Sequence, residues 1–124
     1  GELMHLRCLL AAALMLAAAA SARATEVTEW IPTDAAEKTA AAMREKRMRL
    51  VALDCRSDPA AAATVFSMVW EPNDDSRQWS WREAGVLDMK ALLRDFRNKG
   101  FDLVSQKSFV SAAGTERVCA LWHR

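Results

Sequence analysis

The feature that most constrains the fold is a segment at the end of the chain that has a looser copy in the first half. Residues 99–124, KGFDLVSQKSFVSAAGTERVCALWHR, have the pattern of a helix end, a strand, a turn and a second strand. Residues 48–72 follow the same order, so that Trp122 matches Trp70, 52 residues earlier. Repeats near 50 residues indicate a fold built from similar units. The sequence therefore predicts two units.

Glycine positions and apolar alternation define the strands of the second copy. Gly100 follows a helical pattern and can take the left-handed conformation that closes a helix. Leu103 then lies on one face of a strand, and Gly114 belongs to the turn before the return strand. On the return strand, Cys119 lies on the face opposite to Trp122. Two strands joined by a short glycine-containing loop predict a hairpin.

Each unit also carries a head strand and a helix. Trp30 and Trp81, 51 residues apart, stand at the head of the two units. Apolar residues with helical spacing then form two matched stripes. The stripes are Ala36, Ala40 and Met43 in the first unit and Met89, Leu92, Leu93 and Phe96 in the second. Because the second stripe is bulkier, we expect the second unit to contribute more to the shared core.

These elements predict an α+β protein made of two tandem βαββ units. We expect an antiparallel sheet with two helices on one face, preceded by an N-terminal signal helix. The predicted divisions are a signal peptide at residues 1–24, unit one at 25–72, a polar linker at 73–78 and unit two at 79–124. The two units should form one compact domain, because a mature chain of about 100 residues suits a single core.

Residues 1–24 have the organisation of a secretory signal peptide. Arg7 gives a positive start, an apolar run follows, and residues 21–24 end in the small-residue pattern that signal peptidase prefers. The apolar run of about 12 to 16 residues is shorter than the roughly 20 that span a bilayer. We expect cleavage after Ala24 and a periplasmic or secreted protein without a membrane contact. The alternative is an uncleaved anchor.

The net charge of the mature chain disfavours some classes of binding partner. Removing the signal leaves 15 basic and 15 acidic residues from 17 and 16. A net charge of zero argues against a nucleic-acid binder and against a strongly electrostatic membrane binder, but leaves room for a local patch. The sequence has one basic cluster, Arg44, Lys46, Arg47 and Arg49, at the end of the first predicted helix. It could bind an anion, or it could serve only the helix C-terminus, where cations are favoured.

The second unit resembles a family of bacterial tandem repeats found in secreted proteins, including polyglycine hydrolases, where they accompany a serine-hydrolase domain. The shared pattern is a helix, residues 100–104 (GFDLV), a turn with Gly114 and a strand that ends in Leu121 and Trp122. It is also similar to short bacterial domains with a Gly-Trp-Glu-Leu-Val strand. The first unit departs from this pattern at Arg47, which replaces the glycine. The resemblance implies βαββ repeats and transfers no catalytic residue.

Two cysteines remain after cleavage, Cys55 and Cys119, because Cys8 lies in the signal. An even pair in an oxidising compartment favours a disulfide. This bond would tie unit one to unit two and stabilise the fold by roughly 4 kcal/mol in the chain-entropy model. The alternative is two buried thiols that act as small apolar residues.

The sequence lacks the patterns that carry catalysis, metal binding or cofactor binding. His123 is the only histidine of the mature chain, and the paired spacings of zinc ligands are missing. There is no C-x-x-C, no G-x-S-x-G, no phosphate loop and no dinucleotide fingerprint. Asp74 and Asp75 adjoin in the linker, where a solvated turn explains them. We therefore predict no catalytic residue, no metal ligand and no cofactor.

Five tryptophans and no tyrosine are unusual for this length. Trp30, Trp70, Trp81 and Trp122 recur by unit, which indicates core or half-buried roles. Trp79 has no counterpart in unit one and shares a face with Trp81 if the strand alternates. This pair could form a small aromatic platform for a glycan or a peptide. The alternative is a strand that covers the linker.

We therefore expect an exported, non-catalytic binding or accessory module whose ligand is a protein surface. An exposed strand edge could also pair two copies of the chain. One alternative is a small secreted enzyme, either a hydrolase or a thiol-dependent protein that uses Cys55 or Cys119. Another is a membrane-tethered structural protein that keeps its N-terminal helix.

Overall fold

The structure is a computed structural model and describes residues 24–124. Apart from Ala24, the predicted signal peptide and its cysteine, Cys8, lie outside the described residues. Within the part of the chain that the structure describes, no helix is long and apolar enough to cross a membrane.

The described chain follows the order strand, helix, strand, strand twice. The elements are β1 (Glu26–Pro32), α1 (Thr33–Glu45), β2 (Met48–Asp58), β3 (Ala63–Pro72), β4 (Trp79–Gly85), α2 (Val86–Asn98), β5 (Asp102–Val110) and β6 (Glu116–His123). All strand pairs are antiparallel and form two three-stranded sheets, the first with the order β1-β3-β2 and the second with the order β4-β6-β5. The α+β class is confirmed, with the antiparallel sheet divided in two.

The two sheets share an irregularity beside a central tryptophan. Trp70 on β3 lies opposite Leu50, and Trp122 on β6 lies opposite Leu103. In each sheet the register shifts immediately after that leucine, as expected of a bulge that adds one residue to one strand. The tryptophans that match in the sequence therefore occupy equivalent positions in the two sheets.

The tryptophans predicted at the head of each unit are not equivalent. Trp81 lies in the regular pairing of β4 with β6. Trp30 lies in the irregular part of β1, between Thr28 and Ile31, and has a φ of 51°. The guanidinium carbon of Arg56 covers its ring at 3.7 Å from the centre. The bulge in β1 shifts the alignment of the two head strands, which the sequence spacing alone does not reveal.

Each helix packs on its own sheet, so the prediction that both lie on one face of one sheet is wrong. Successive residues of a strand point to opposite faces. On β6, Ala120 and Trp122 belong to the core under α2, whereas Cys119 and Leu121 belong to the core that includes α1. The second sheet is therefore covered on both sides.

The larger core lies on the first sheet, contrary to the expectation from the bulkier second helix. The residues that α1 buries are Ala36, Ala40 and Met43. Such a thin stripe covers little of the first sheet. Residues of the second sheet complete the cover, namely Trp79, Cys119 and Leu121. α2 covers its own sheet only, where Phe96 stacks on Trp122 with ring centres 4.1 Å apart.

β2 carries the bonds that join the two sheets. Cys55 of β2 and Cys119 of β6 form a disulfide. Nε2 of His123 donates a hydrogen bond to the carbonyl oxygen of Leu50 at 2.7 Å. This nitrogen carries the proton, because a carbonyl oxygen can only accept. The two bonds hold the second sheet against the core side of the first.

Candidate functional site

A cleft of about 660 Å³ lies where α1 and α2 end, beside the segment that joins β3 to β4. Its charged side chains are all cations: Arg44, Arg47, Arg77 and Lys99. Among the described residues, no carboxylate lines it. Its aromatic wall consists of Trp79, Phe96 and Phe101. We call these residues together the basic cleft.

The two helix ends explain part of this charge. Arg47 follows α1 and donates its backbone N–H to the carbonyl oxygen of Arg44 at 3.1 Å. Lys99 follows α2 and donates its backbone N–H to the carbonyl oxygens of Asp95 and Phe96 at 3.1 and 3.2 Å. Cations beside a helix C-terminus are stabilised by its partial negative charge. This effect favours a cation at both positions.

Arg44 carries a charge that its surroundings compensate poorly. Its guanidinium carbon lies 3.7 Å from the centre of the Trp79 ring, and its terminal nitrogens lie 3.5 Å from the carbonyl oxygen of the same residue. Burial lowers the pKa of Arg44, and the positive charge of Arg82 lowers it further. Within residues 24–124, neither arginine forms an ion pair with a carboxylate. An anionic ligand would compensate both charges.

The segment between β3 and β4 is held in a closed loop at the rim of the cleft. The side-chain amide of Asn73 donates to the carbonyl oxygen of Arg77 at 2.8 Å and accepts from its backbone N–H at 3.0 Å. Asp75 of this loop binds Arg49 at 2.8 Å and lies 3.9 Å from Nε of Arg77. One oxygen of this carboxylate binds Arg49 and the other lies near Arg77, which lines the cleft.

A second depression, of about 630 Å³, runs between α1 and β4 and shares Arg44 with the basic cleft. We call it the α1–β4 groove and define it by Thr33, Glu37, Ala40 and Arg44 on the helix side and Trp81, Arg82, Glu83 and Arg117 on the sheet side. Arg117 donates hydrogen bonds to both carboxylate oxygens of Glu83, at 2.9 and 3.0 Å from Nε and at 2.6 Å from a terminal nitrogen, and these raise the pKa of Arg117. Because this pair is neutral as a unit, Glu37 is the one carboxylate left to oppose Arg44 and Arg82 among the described residues that line the groove.

The structure brings together the two cysteines that the sequence singled out. Cys55 and Cys119 are 64 positions apart, buried and bonded to each other. They tie β2 to β6, the strands on which the pair was predicted. A thiol-dependent reaction needs a thiolate, which neither sulfur supplies while the bond is intact.

Trp79 and Trp81 share a face of β4, but Trp79 does not form an exposed platform. Trp79 is only 4% exposed, and its ring meets that of Trp70 edge-on with centres 5.5 Å apart. Trp81 is half-buried, meets Phe66 edge-on at 5.2 Å and lines the α1–β4 groove. The ring of Trp79 is needed to cover the first sheet, which removes it from the surface.

The sequence identified Arg44 and Arg47 as members of a basic cluster but did not place Lys99 beside them. The sequence did contain a sign that Lys99 belongs with this cluster. The 53-residue offset between the helices aligns Lys99 with Lys46, so both helices are followed by a cation. The sequence offset does not predict that the two helix ends meet at one cleft, because this depends on how the two sheets pack.

The described residues contain no group of three or more histidine, cysteine, aspartate or glutamate side chains placed to hold a metal ion. Comparison of the chain with protein-family models, with curated proteins and with solved structures found no match.

Proposed function

We propose that this chain is an exported, non-catalytic binding module whose ligand is an acidic segment on the surface of another protein. The observation that carries this proposal is the lining of the basic cleft, whose four charged side chains are all cations, with Asp75 beside it 3.9 Å from Arg77. Arginine is one of the residues that most often dominate protein–protein binding energy. The concentration of cations at one cleft of a chain of balanced charge favours a local, charge-matched partner.

A protein ligand fits this cleft better than a nucleic acid does. Non-specific binding of single strands relies on aromatic faces that are free to stack on bases. Here Trp79 lies under Arg44, and Phe96 stacks on Trp122, so both rings are already in use. Carboxylates need only the guanidinium and ammonium groups at the cleft surface.

Two sequence features support the location of this module outside the cytoplasm. Residues 1–24 have the pattern of a signal peptide, and Cys55 pairs with Cys119. Disulfides persist in oxidising compartments such as the periplasm. We propose that the mature protein begins at Thr25 and is periplasmic or secreted.

We further propose that the chain consists of two tandem βαββ units related to the bacterial repeats that the second unit resembles. Support comes from the equal offset of 53 residues between the helix starts, Thr33 and Val86, and between the leucines that precede the bulges, Leu50 and Leu103. In this arrangement the basic cleft lies at the junction of the units.

Fluorescence anisotropy with a labelled decaglutamate peptide tests the proposed ligand class. The protein purified after export should bind this peptide and ignore decaserine and decalysine. The double substitution Arg44→Glu with Lys99→Glu should weaken binding by about tenfold or more. The matched control is Lys38→Glu with Lys90→Glu, which makes the same charge change on exposed residues of the same helices. An equal loss in both variants would mean that only net charge matters, and the assignment of the cleft would be wrong.

A further inference from the structure

β4 is an edge strand of the second sheet, and half of its backbone groups face away from that sheet. Arg124 donates its backbone N–H to the carbonyl oxygen of Gln78 at 2.9 Å, which marks a bonded pair at the end of the β4–β6 ladder. Bonded and unbonded pairs alternate along an antiparallel ladder. Arg82 therefore bonds to β6, whereas the backbone groups of Trp81 and Glu83 point to the free edge.

Arginine side chains donate hydrogen bonds to two of the outward-facing carbonyl oxygens of this edge. Arg44 approaches the carbonyl oxygen of Trp79 at 3.5 Å, and Arg82 donates to that of Trp81 at 2.8 Å. Among the described residues, no acceptor takes the outward N–H of Trp81 or Glu83. Exposed donors of this kind are the template on which a further strand can pair.

The other edges are less suited to strand addition. β5, the second edge of this sheet, packs against β2, where Lys107 forms an ion pair with Asp54. β1 is interrupted by its bulge, where Trp30 has a positive φ, and bulges are one of the devices that block edge pairing. β4 is regular throughout its pairing with β6.

The α1–β4 groove lies along this regular edge and has the length for a short strand. Its helix side extends from Thr33 to Arg44, which corresponds to about 17 Å at 1.5 Å per helical residue. An extended chain of about five residues covers that distance at roughly 3.3 Å per residue. Trp81 and Ala40 supply an apolar floor for alternate side chains.

We propose that the α1–β4 groove binds an extended acidic peptide segment, which adds to the free edge of β4 as a fourth strand. This inference rests on the proposed function and gives its binding mode. The peptide backbone would accept from the N–H groups of Trp81 and Glu83, while its carboxylates would meet Arg82 and Arg44. Because Arg44 lines both sites, the same segment can continue into the basic cleft.

Charge favours an acidic partner over a second copy of the chain. An antiparallel pair of β4 strands would bring the Arg82 side chains of two molecules close together and would place two arginine-lined grooves face to face. Like charges opposite each other across a strand pair are destabilising. An acidic peptide instead gains charge-assisted hydrogen bonds from the same groups.

Amide hydrogen exchange and an N-methylated peptide together test whether the ligand adds to β4 as a strand. Decaglutamate should slow amide exchange of Trp81 and Glu83 and leave that of Arg82, already bonded to β6, unchanged. A decaglutamate that is N-methylated at every residue keeps its charge but cannot pair as a strand, because methyl groups then point from both of its edges. It should bind about tenfold more weakly. Equal binding of the two peptides would overturn strand addition while the proposed function stands. Failure of both peptides to bind would overturn the two proposals together.

A pair of variants tests the same edge from the side of the protein. Glu83→Pro and Glu83→Ala both remove the carboxylate that binds Arg117, but only proline removes the outward N–H. Edge strands tolerate proline where the N–H faces away from the sheet. The proline variant should bind decaglutamate about tenfold more weakly than the alanine variant. If the proline variant fails to fold, the N-methylated peptide decides the question alone.

Sedimentation of the free protein tests whether a second copy of the chain, and not a peptide, pairs with the edge of β4. A monomer at concentrations used for binding agrees with the proposal. A dimer in which Trp81 and Glu83 are protected without peptide would overturn it.

Discussion

Arg47 and Gly100 hold the same left-handed backbone conformation at the ends of the two helices. Their φ angles are 56° and 84°, and each donates its backbone N–H to the carbonyl oxygen three residues earlier, at 3.1 and 3.0 Å. Glycine adopts this conformation without a steric penalty, whereas a residue with a Cβ does not. α1 therefore ends in the same way as α2, but at a residue whose Cβ disfavours the left-handed conformation.

The strain at Arg47 predicts a difference between two variants that remove the same side chain. Arg47→Gly and Arg47→Ala both lose the contacts of the guanidinium, but only glycine relieves the left-handed backbone. The glycine variant should have the higher free energy of unfolding by about 1 kcal/mol. Urea denaturation followed by tryptophan fluorescence measures this difference. Equal stabilities would show that the backbone at this position is not strained.

The disulfide should supply a large share of the stability. Replacement of Cys55 and Cys119 by alanine should lower the free energy of unfolding by about 4 kcal/mol, because the bond closes a long loop in the unfolded chain. Urea titrations of the wild type and the double variant under non-reducing conditions provide the measurement. Addition of a reductant should lower the urea midpoint of the wild type alone. A double variant as stable as the wild type would contradict the expected role of the bond.

Leu121 should contribute strongly to the free energy of unfolding, because it lies where the second sheet covers the core of the first. It is fully buried in that core. Leu121→Ala should lower the free energy of unfolding by about 3 kcal/mol through lost burial and the cavity left behind. The matched control is Val110→Ala on β5, which is 63% exposed and should cost about 0.5 kcal/mol or less. Similar losses at the two sites would contradict the packing described for the two sheets.

Glu37 should weaken the binding of an acidic ligand in the wild type. It is the carboxylate of the α1–β4 groove that has no partner arginine comparable to Arg117 for Glu83. Glu37→Gln should therefore raise the affinity for decaglutamate by about threefold, because it removes a repulsion between like charges. Fluorescence anisotropy measures the change, with Glu116→Gln on β6 as a control of equal charge. A gain of the same size in the control would indicate a long-range effect and not a contact in the groove.

Several elements of the fold could be predicted from local patterns. The stripe from Met89 to Phe96 predicted α2, and Gly100 predicted its end, because both depend on residues within a few turns of each other. The pairing of Cys55 with Cys119 followed from the even count and the expected compartment. Trp30 was misassigned because a bulge changes the register of a strand without a strong sequence signal.

The candidate site could be predicted only in part. Arg44 and Arg47 were recognised as a cluster, but Lys99 is remote in sequence and joins them only because the two helix ends meet. For Trp79 the sequence left open an aromatic platform or a strand that covers the linker, and its ring lies in the core. Its burial depends on the first sheet, whose large residues α1 leaves uncovered.

By itself, the sequence determined the type and order of the elements and the α+β class, because these follow from the periodicity of apolar residues along the chain. The tertiary structure alone decided that the strands form two sheets, that each helix packs on its own sheet, and that cations from the two helix ends meet at one cleft. The physical reason is that a thin alanine stripe on α1 covers too little apolar surface. The second sheet must supply the remaining cover, and this packing sets every distance between the two units.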